Sequence, residues 1–289
     1  MLILIPSRSR HDRIARGPLR QLPAPWLGKT VVACPEPQRD RYRRALDAFE
    51  ELTLRPAPVL VTVPDEWRIG RKRRWLGEYA RDVDECFMFL DDDVGFLVRK
   101  AEDNWQLREP TVAEVGIMLS YAEMKLMTDD ALSHLGISAR EGNNRIGVGD
   151  ADALQDRNTR LMRAVAWKTA RYLETDPTRV EGIEDFDCSL QSLRAGYENV
   201  CLYYWAQGQR ETNESGGCAD WRTAEVHAAN VRKLAELHAP FVRIREKKNK
   251  TGGLAERLES TIYWKKAAAD GAKKMNNLQN VQNTPAGGW

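Results

Sequence analysis

Long apolar runs are missing from this sequence. No stretch of 18 consecutive apolar residues occurs in its 289, so no membrane-spanning helix is expected. The opening MLILIP has five apolar residues before a proline, without a basic segment ahead or a small-residue cleavage site behind. It reads as a first strand and not as a signal peptide. Cysteine is scarce: Cys34, Cys86, Cys188, Cys201 and Cys218 are odd in number and scattered, with no CxxC pair. That spacing argues against a zinc site or a disulfide framework, and reduced thiols fit a cytoplasmic setting.

Net charge is also low, at +2, but it is unevenly spread. Residues 1–74 carry 16 Lys and Arg against 8 Asp and Glu, and residues 243–274 carry 10 against 4. Basic ends and an acidic centre suit a surface for polyanions beside one for metal ions, although such charges also occur as solvated faces. The runs LILIP, TVVACP, PVLVTVP and CFMFL alternate with the helical stretches QRDRYRRALDAFEEL and RKRRWLGEYARDV. Strand–helix alternation predicts parallel pairing in an open α/β sheet, with ligands at the carboxyl ends of the strands. In the second half TVAEVGIMLSYAEMKLM, TRLMRAVAWKTARYL, IEDFDCSLQSLRAGY and WRTAEVHAANVRKLAELH read as helical. ALSHLGIS and NVCLYYWAQ read as strands, and Gly196 as a helix C-cap. The tail from Ala267 loses its apolar pattern and is expected to be mobile.

Two acidic clusters carry chemistry. CFMFLDDDVGF runs five apolar residues into Asp91, Asp92 and Asp93. In an extended chain alternate residues share a side, so Asp91 and Asp93 face one site and a divalent cation would offset their repulsion. A bare D-x-D also occurs as a solvated acidic turn. The second cluster, Glu184, Asp185 and Asp187 of GIEDFD, opens a helix. There it either complements the helix dipole and caps the terminus or supplies a general base for an acceptor hydroxyl.

The blocks FMFLDDDVGF, HLGISAREGNNR, VEGIEDFDCSLQSLRAGYENV, YYWAQGQ, GGCADWRT and LAELHAPFVRIREKKNKTGG, in that order, resemble the TET-associated glycosyltransferases, phage-type enzymes of the GT-A fold. The resemblance covers roughly residues 1–267. It implies a single GT-A domain over 1–266, a Rossmann-like mixed sheet flanked by helices. Residues 1–95 would form its nucleotide-sugar half and 96–266 its acceptor half. It further implies sugar transfer from a nucleotide-sugar, taken here as a UDP-sugar, to the hydroxymethyl group of 5-hydroxymethylpyrimidines in DNA. The setting would be the bacterial host cytoplasm for a phage-encoded enzyme.

Such a reaction assigns roles. Asp91 and Asp93 would hold Mn²⁺ or Mg²⁺, with His238 as a further ligand, although His238 also fits helix packing. Asp185, with Glu184, would be the base. Pro6, Ser7, Arg8, Glu36, Arg71, Arg74 and Asp92 would meet the donor, with Lys72 and Arg73 reading as an exposed basic face. Arg140, Asn143, Asn144, Arg145, Trp221, Arg222, Lys247 and Lys248 would meet the acceptor DNA.

Rival classes fit less well. Haloacid-dehalogenase-type phosphohydrolases place their aspartates on the first strand, with Thr or Val two places on, where this chain has a fourth strand and Gly95. Sugar-nucleotide pyrophosphorylases use a glycine-rich loop that PSRSRHDR lacks. A non-catalytic DNA-binding module leaves both acidic clusters without a purpose.

Overall fold

The four aliphatic runs of the first half are strands: β1 (Leu2–Pro6), β2 (Thr30–Pro35), β3 (Val59–Val63) and β4 (Cys86–Leu90). They belong to a computed structural model that describes residues 1–100, 106–143, 154–209, 222–247 and 257–282. Helices α1 (Ala24–Leu27), α2 (Arg39–Thr53) and α3 (Ile69–Arg81) connect them. The strands pair in parallel in the order β3-β2-β1-β4, as helical crossovers require.

The chain continues through β5 (Val94–Arg99), β6 (Leu107–Arg108), α4 (Val112–Thr128), β7 (Leu132–Ala139) and α5 (Arg140–Asn143). Then follow β8 (Gln155–Arg157), β9 (Ala164–Lys168), α6 (Thr169–Leu173), α7 (Glu184–Arg194) and β10 (Glu198–Gln209). These strands extend the same sheet as β4-β9-β7-β10-β5-β6, with β8 also on β10, to ten strands in all. The extension is mixed: β7 and β10 are parallel, whereas β9 and β5 run against their neighbours. Beyond it lie α8 (Ala224–Leu237), a two-stranded ribbon of β11 (Val242–Lys247) and β12 (Arg257–Ile262), and α9 (Trp264–Gln282).

Strand alternation sorts the core into two layers. Ile3, Ile5, Val32, Met88 and Leu90 pack with Tyr42, Leu46 and Phe49 of α2 and Met118 and Leu119 of α4. Leu2, Leu4, Val31, Phe87 and Phe89 face the other way, onto Leu76 and Ala80 of α3 and onto Tyr172. Burying each such side chain contributes about 1.5–3 kcal/mol. A third cluster, with Ile183, Leu190, Val231, Leu234, Val242 and Ala267, joins α7, α8, the ribbon and α9.

Two expectations are corrected. TRLMRAVAWKTARYL is not one helix. Its middle is β9, held antiparallel between β4 and β7, and only Thr169–Leu173 is helical. Val165 and Trp167 enter one layer while Ala164 and Ala166 enter the other, so burial on both faces concealed the two-residue period. The second concerns the tail, whose composition carries no apolar pattern but whose residues 264–282 form α9. A Cβ on Gly271 would stand 2.1 Å from the Leu193 carbonyl oxygen. α9 therefore docks on the end of α7 through small residues, which give little apolar signal. Among the described residues no helix is long and apolar enough to cross a membrane.

Candidate active site

The carboxyl ends of β1 and β4 and the start of α7 open on one cleft of about 1180 Å³. Strand ends converge there because the four parallel strands point the same way. The last apolar residue of β4, Leu90, is fully buried, and the chain then turns outward through the three aspartates.

The aspartates divide as alternation demands. Asp92 is 5% exposed. Ser7 Oγ donates to it at 2.5 Å and Arg10 at 2.7 Å, while Ser7 also pairs with the Tyr42 hydroxyl at 2.6 Å. Asp92 is thus an internal anchor tying β4 to the loop after β1. Close packing reinforces it, since a Cβ on Gly17 would lie 2.6 Å from the Asp92 carbonyl oxygen. Asp91 and Asp93 are half-buried and line the cleft. Asp93 accepts from Arg10 at 2.7 Å and from Gln209 at 3.2 Å.

Arg73 of α3 organises the other side. Its guanidinium donates to Glu184 at 2.7 Å and to Asp91 at 2.9 Å, and lies 5.3 Å from the Phe89 ring centroid. It thereby joins α3, β4 and α7. Burial, opposed by Arg73 and reinforced by Asp93, Asp92 and Asp185, pushes Asp91 up to about 6. Burial likewise pushes Glu184 up, to about 7, against Arg73. Five carboxylates thus cluster at this corner, Asp91, Asp92, Asp93, Glu184 and Asp185, with Arg10 and Arg73 bonded between four of them; mutual repulsion among them favours a bound cation.

Asp185 also lines the cleft, half-buried in the first turn of α7. It is not the helix cap: that position belongs to Ile183, with no side-chain capping bond. Asp187 is separate, fully buried and bonded by Arg179 at 2.9 Å, by His238 at 2.6 Å and by Gln191 at 2.9 Å. This corrects the reading of His238 as a metal ligand. It is 1% exposed, bonded to Asp187 and absent from the cleft lining.

Other expected residues divide similarly. Pro6, Ser7 and Arg8 line the cleft, Arg8 bonding the Asp65 carboxylate at 2.9 Å. Glu36 is exposed and is not a lining residue. Arg71 and Arg74 exchange places with the two neighbours read as a solvated face. Arg71 covers Trp67 at 5.0 Å, and Arg74 bonds Glu78 at 2.7 Å and the Thr175 carbonyl at 2.9 Å, whereas Lys72 and Arg73 are buried and line the cleft. The signal was present: Arg73, Leu76 and Ala80 fall on one helical stripe.

Asn143 is no base reader. It is fully buried, accepting from Arg99 at 2.7 Å and donating to the Tyr203 carbonyl at 3.0 Å. Arg140 is exposed and outside the cleft lining, while Arg222 lies on its rim. Asn144, Arg145, Trp221 and Lys248 lie outside the described residues, as does the side chain of Lys247.

Arg10, just beyond the end of the first strand, lines this cleft and holds its carboxylates; Gln209, Arg160, Arg163, Phe186 and Trp264 also line it and carry no signal as site residues in the sequence. Arg163 has φ of +64°, and its carbonyl accepts from the Asp91 amide at 2.9 Å. Left-handed backbone at a non-glycine residue costs about 1–3 kcal/mol and concentrates at functional sites. Among the described residues the one compact group of potential metal donors, Asp84, Cys86 and Glu123, lies away from the cleft lining, where Asp84 pairs with the Met1 ammonium at 2.9 Å.

The family model for TET-Associated Glycosyltransferase matches residues 1–217. Among solved structures, one of the mannosyltransferase PcManGT from Pyrobaculum calidifontis in complex with GDP-Man and Mn²⁺ is 15% identical, with a TM-score of 0.54. The match covers 82% of this chain and 63% of that one, so this chain spans less than two thirds of its length. A structure of GalNAc-T7 with UDP, GalNAc and Mn²⁺ is 12% identical, covering 80% of this chain and 47% of that one, with a TM-score of 0.48. The comparison with curated proteins gave no match. The fold is the GT-A fold of glycosyltransferases.

Proposed function

The chain belongs to the TET-associated glycosyltransferase family, and from that premise we propose that it moves a sugar from a nucleotide-sugar, a UDP-sugar, to the hydroxymethyl group of a 5-hydroxymethylpyrimidine in DNA. One observation carries the reading. The strand-end carboxylates Asp91 and Asp93 and the helix-start carboxylate Asp185 share a single cleft, with Arg73 bridging Asp91 and Glu184.

The donor set fits a hard divalent cation, Mn²⁺ or Mg²⁺. Asp91 and Asp93 are oxygen donors at the cleft surface among clustered carboxylates that raise one another's pKa, and such ions commonly take one or two carboxylates plus substrate phosphates. Held there, the ion supplies Lewis-acid stabilisation of the departing diphosphate. The chain's own residues do the rest. Asp92, Ser7 and Arg10 fix the strand end, and Arg73 holds Asp91 in place. Lys72 and Arg8 add positive charge on the donor side.

Asp185 accepts the proton of the hydroxymethyl group as its oxygen bonds the anomeric carbon and the bond from that carbon to the diphosphate oxygen breaks. This is a single inverting displacement. In duplex DNA the pyrimidine must leave the stack to reach this depth.

The test is incubation with hydroxymethylated DNA, a panel of UDP- and GDP-sugars and Mn²⁺ or Mg²⁺, read by nucleoside mass spectrometry. A glycosylated hydroxymethylpyrimidine is expected, with unmodified DNA inert. No mass change with any donor would overturn the reading.

A further inference from the structure

We propose that a strip of cations and aromatic rings, running from beside Asp185 out onto the β11–β12 ribbon, is the surface on which a nucleic-acid strand docks. The proposal rests on the reading above for its choice of acceptor, and on separate observations for its place.

Contacts and one step along the chain link the strip's members. The Arg160 guanidinium lies 4.8 Å from the ring centroid of Phe186, the residue after Asp185. Phe186 meets Trp264 edge to face with centroids 5.8 Å apart. Trp264 follows Tyr263, whose ring carries Arg243 at 5.4 Å and Lys266 at 5.0 Å. Arg160, Arg243 and Lys266 are exposed and the three rings half-buried. Phe186 and Trp264 line the cleft with Asp185, so one end of the strip reaches the chemistry.

The ribbon carries the other end outward. Its register sets Arg243 opposite Thr261 and Arg245 opposite Glu259. Opposite residues share a face, and β12 borders the cleft along residues 259–262, so Arg243 and Arg245 sit on the ribbon that walls it.

Charge points the same way. Residues 218–289 carry 13 Lys and Arg against 7 Asp and Glu, whereas the family-matched residues 1–217 carry 31 against 35. The acidic part holds the chemistry, and the basic part beyond the match supplies most of the strip. A run of rings flanked by cations suits a chain of phosphates and bases, because phosphates pair with the cations and any base presents a face to a ring. An acidic peptide would use the cations alone.

The probe is a labelled DNA duplex without hydroxymethyl groups, titrated over a range of salt with no donor present. Each phosphate contact contributes about 0.9 to the log–log salt slope. Replacing the exposed strip cations together (Arg160→Gln, Arg243→Gln, Lys266→Gln) is expected to flatten the slope by about 2 to 3. The control removes three exposed charges from α2 (Arg41→Gln, Arg43→Gln, Arg44→Gln) and is expected to leave the slope unchanged. An unchanged slope in the strip variant, or equal flattening in the control, overturns the proposal. Tighter binding of a polyglutamate peptide than of DNA overturns it in favour of an acidic protein partner. Sugar transfer to DNA with an unchanged slope would refute the strip alone. A strip-dependent slope without transfer would refute the transferase reading alone.

Discussion

Asp185 has one acidic neighbour on each side of its role. Glu184 is bound to Arg73, and Asp187 is sunk in a network with Arg179 and His238, so Asp185 is the carboxylate of this turn that lines the cleft without an arginine partner among its hydrogen bonds. Asp185 Oδ1 accepts from the Phe186 amide at 3.0 Å, a bond that the amide oxygen of Asp185→Asn can keep. Turnover should fall by about 10²–10⁴, the usual worth of a general base, with the melting temperature close to that of the parent. Rate and melting curve measured on the same preparation check this, and near-parental turnover would remove Asp185 from the mechanism. Glu184 makes a different prediction. Its folded value, about 7, lies above the ordinary 4.5, so the native state binds the extra proton. Its stabilising effect is therefore full below about pH 4.5 and lost as pH rises through 7. Glu184→Gln should flatten the pH dependence of stability across that window, measured by denaturant titration at several pH values.

At the scale of elements, the site exists because α3 and α7 are tied across the end of β4. Arg73 is buried with two carboxylate partners. Arg73→Ala should cost about 3–5 kcal/mol, since breaking a buried pair strands the opposite charge. Adding Glu184→Gln should restore part of that loss, and a double-mutant cycle by chemical denaturation measures the coupling. The seat of α9 on α7 depends on Gly271. Gly271→Ala puts a methyl group against the Leu193 carbonyl and should cost about 1–3 kcal/mol of overpacking. Faster proteolysis near α9 than in the parent is the expected sign.

Across the whole molecule, the donor and the cation should act as linked ligands of one cleft. A nucleotide-sugar with Mn²⁺ at about a hundred times its Kd should stabilise the fold by about 2.7 kcal/mol. Asp93→Asn should abolish that gain and turnover together while leaving the unliganded protein folded. Thermal shifts with and without chelator read the effect directly. A full shift by the donor in excess chelator would show that the cation is dispensable.

Local pattern was enough for much of this protein. The parallel strands, the helices α2, α3, α4, α7 and α8 and the two acidic clusters follow from apolar period and strand-end position, because each is set within a few residues of chain. Alternation also singles out Asp92, which is the buried one of the three aspartates although all three line the cleft. What depended on distant partners stayed hidden. β9 is a strand only because β4 and β7 flank it. His238 and Asn143 look like ligands in sequence, but Asp187 and Arg99 occupy them in the fold. The four consecutive cations of α3 differ only in azimuth, so packing against β4 and α7, and not composition, decides that Arg73 enters the site and Arg74 leaves it. The contact strip from Arg160 to Lys266 spans more than a hundred residues of chain, and only the docking of α9 and the ribbon beside α7 brings its members together.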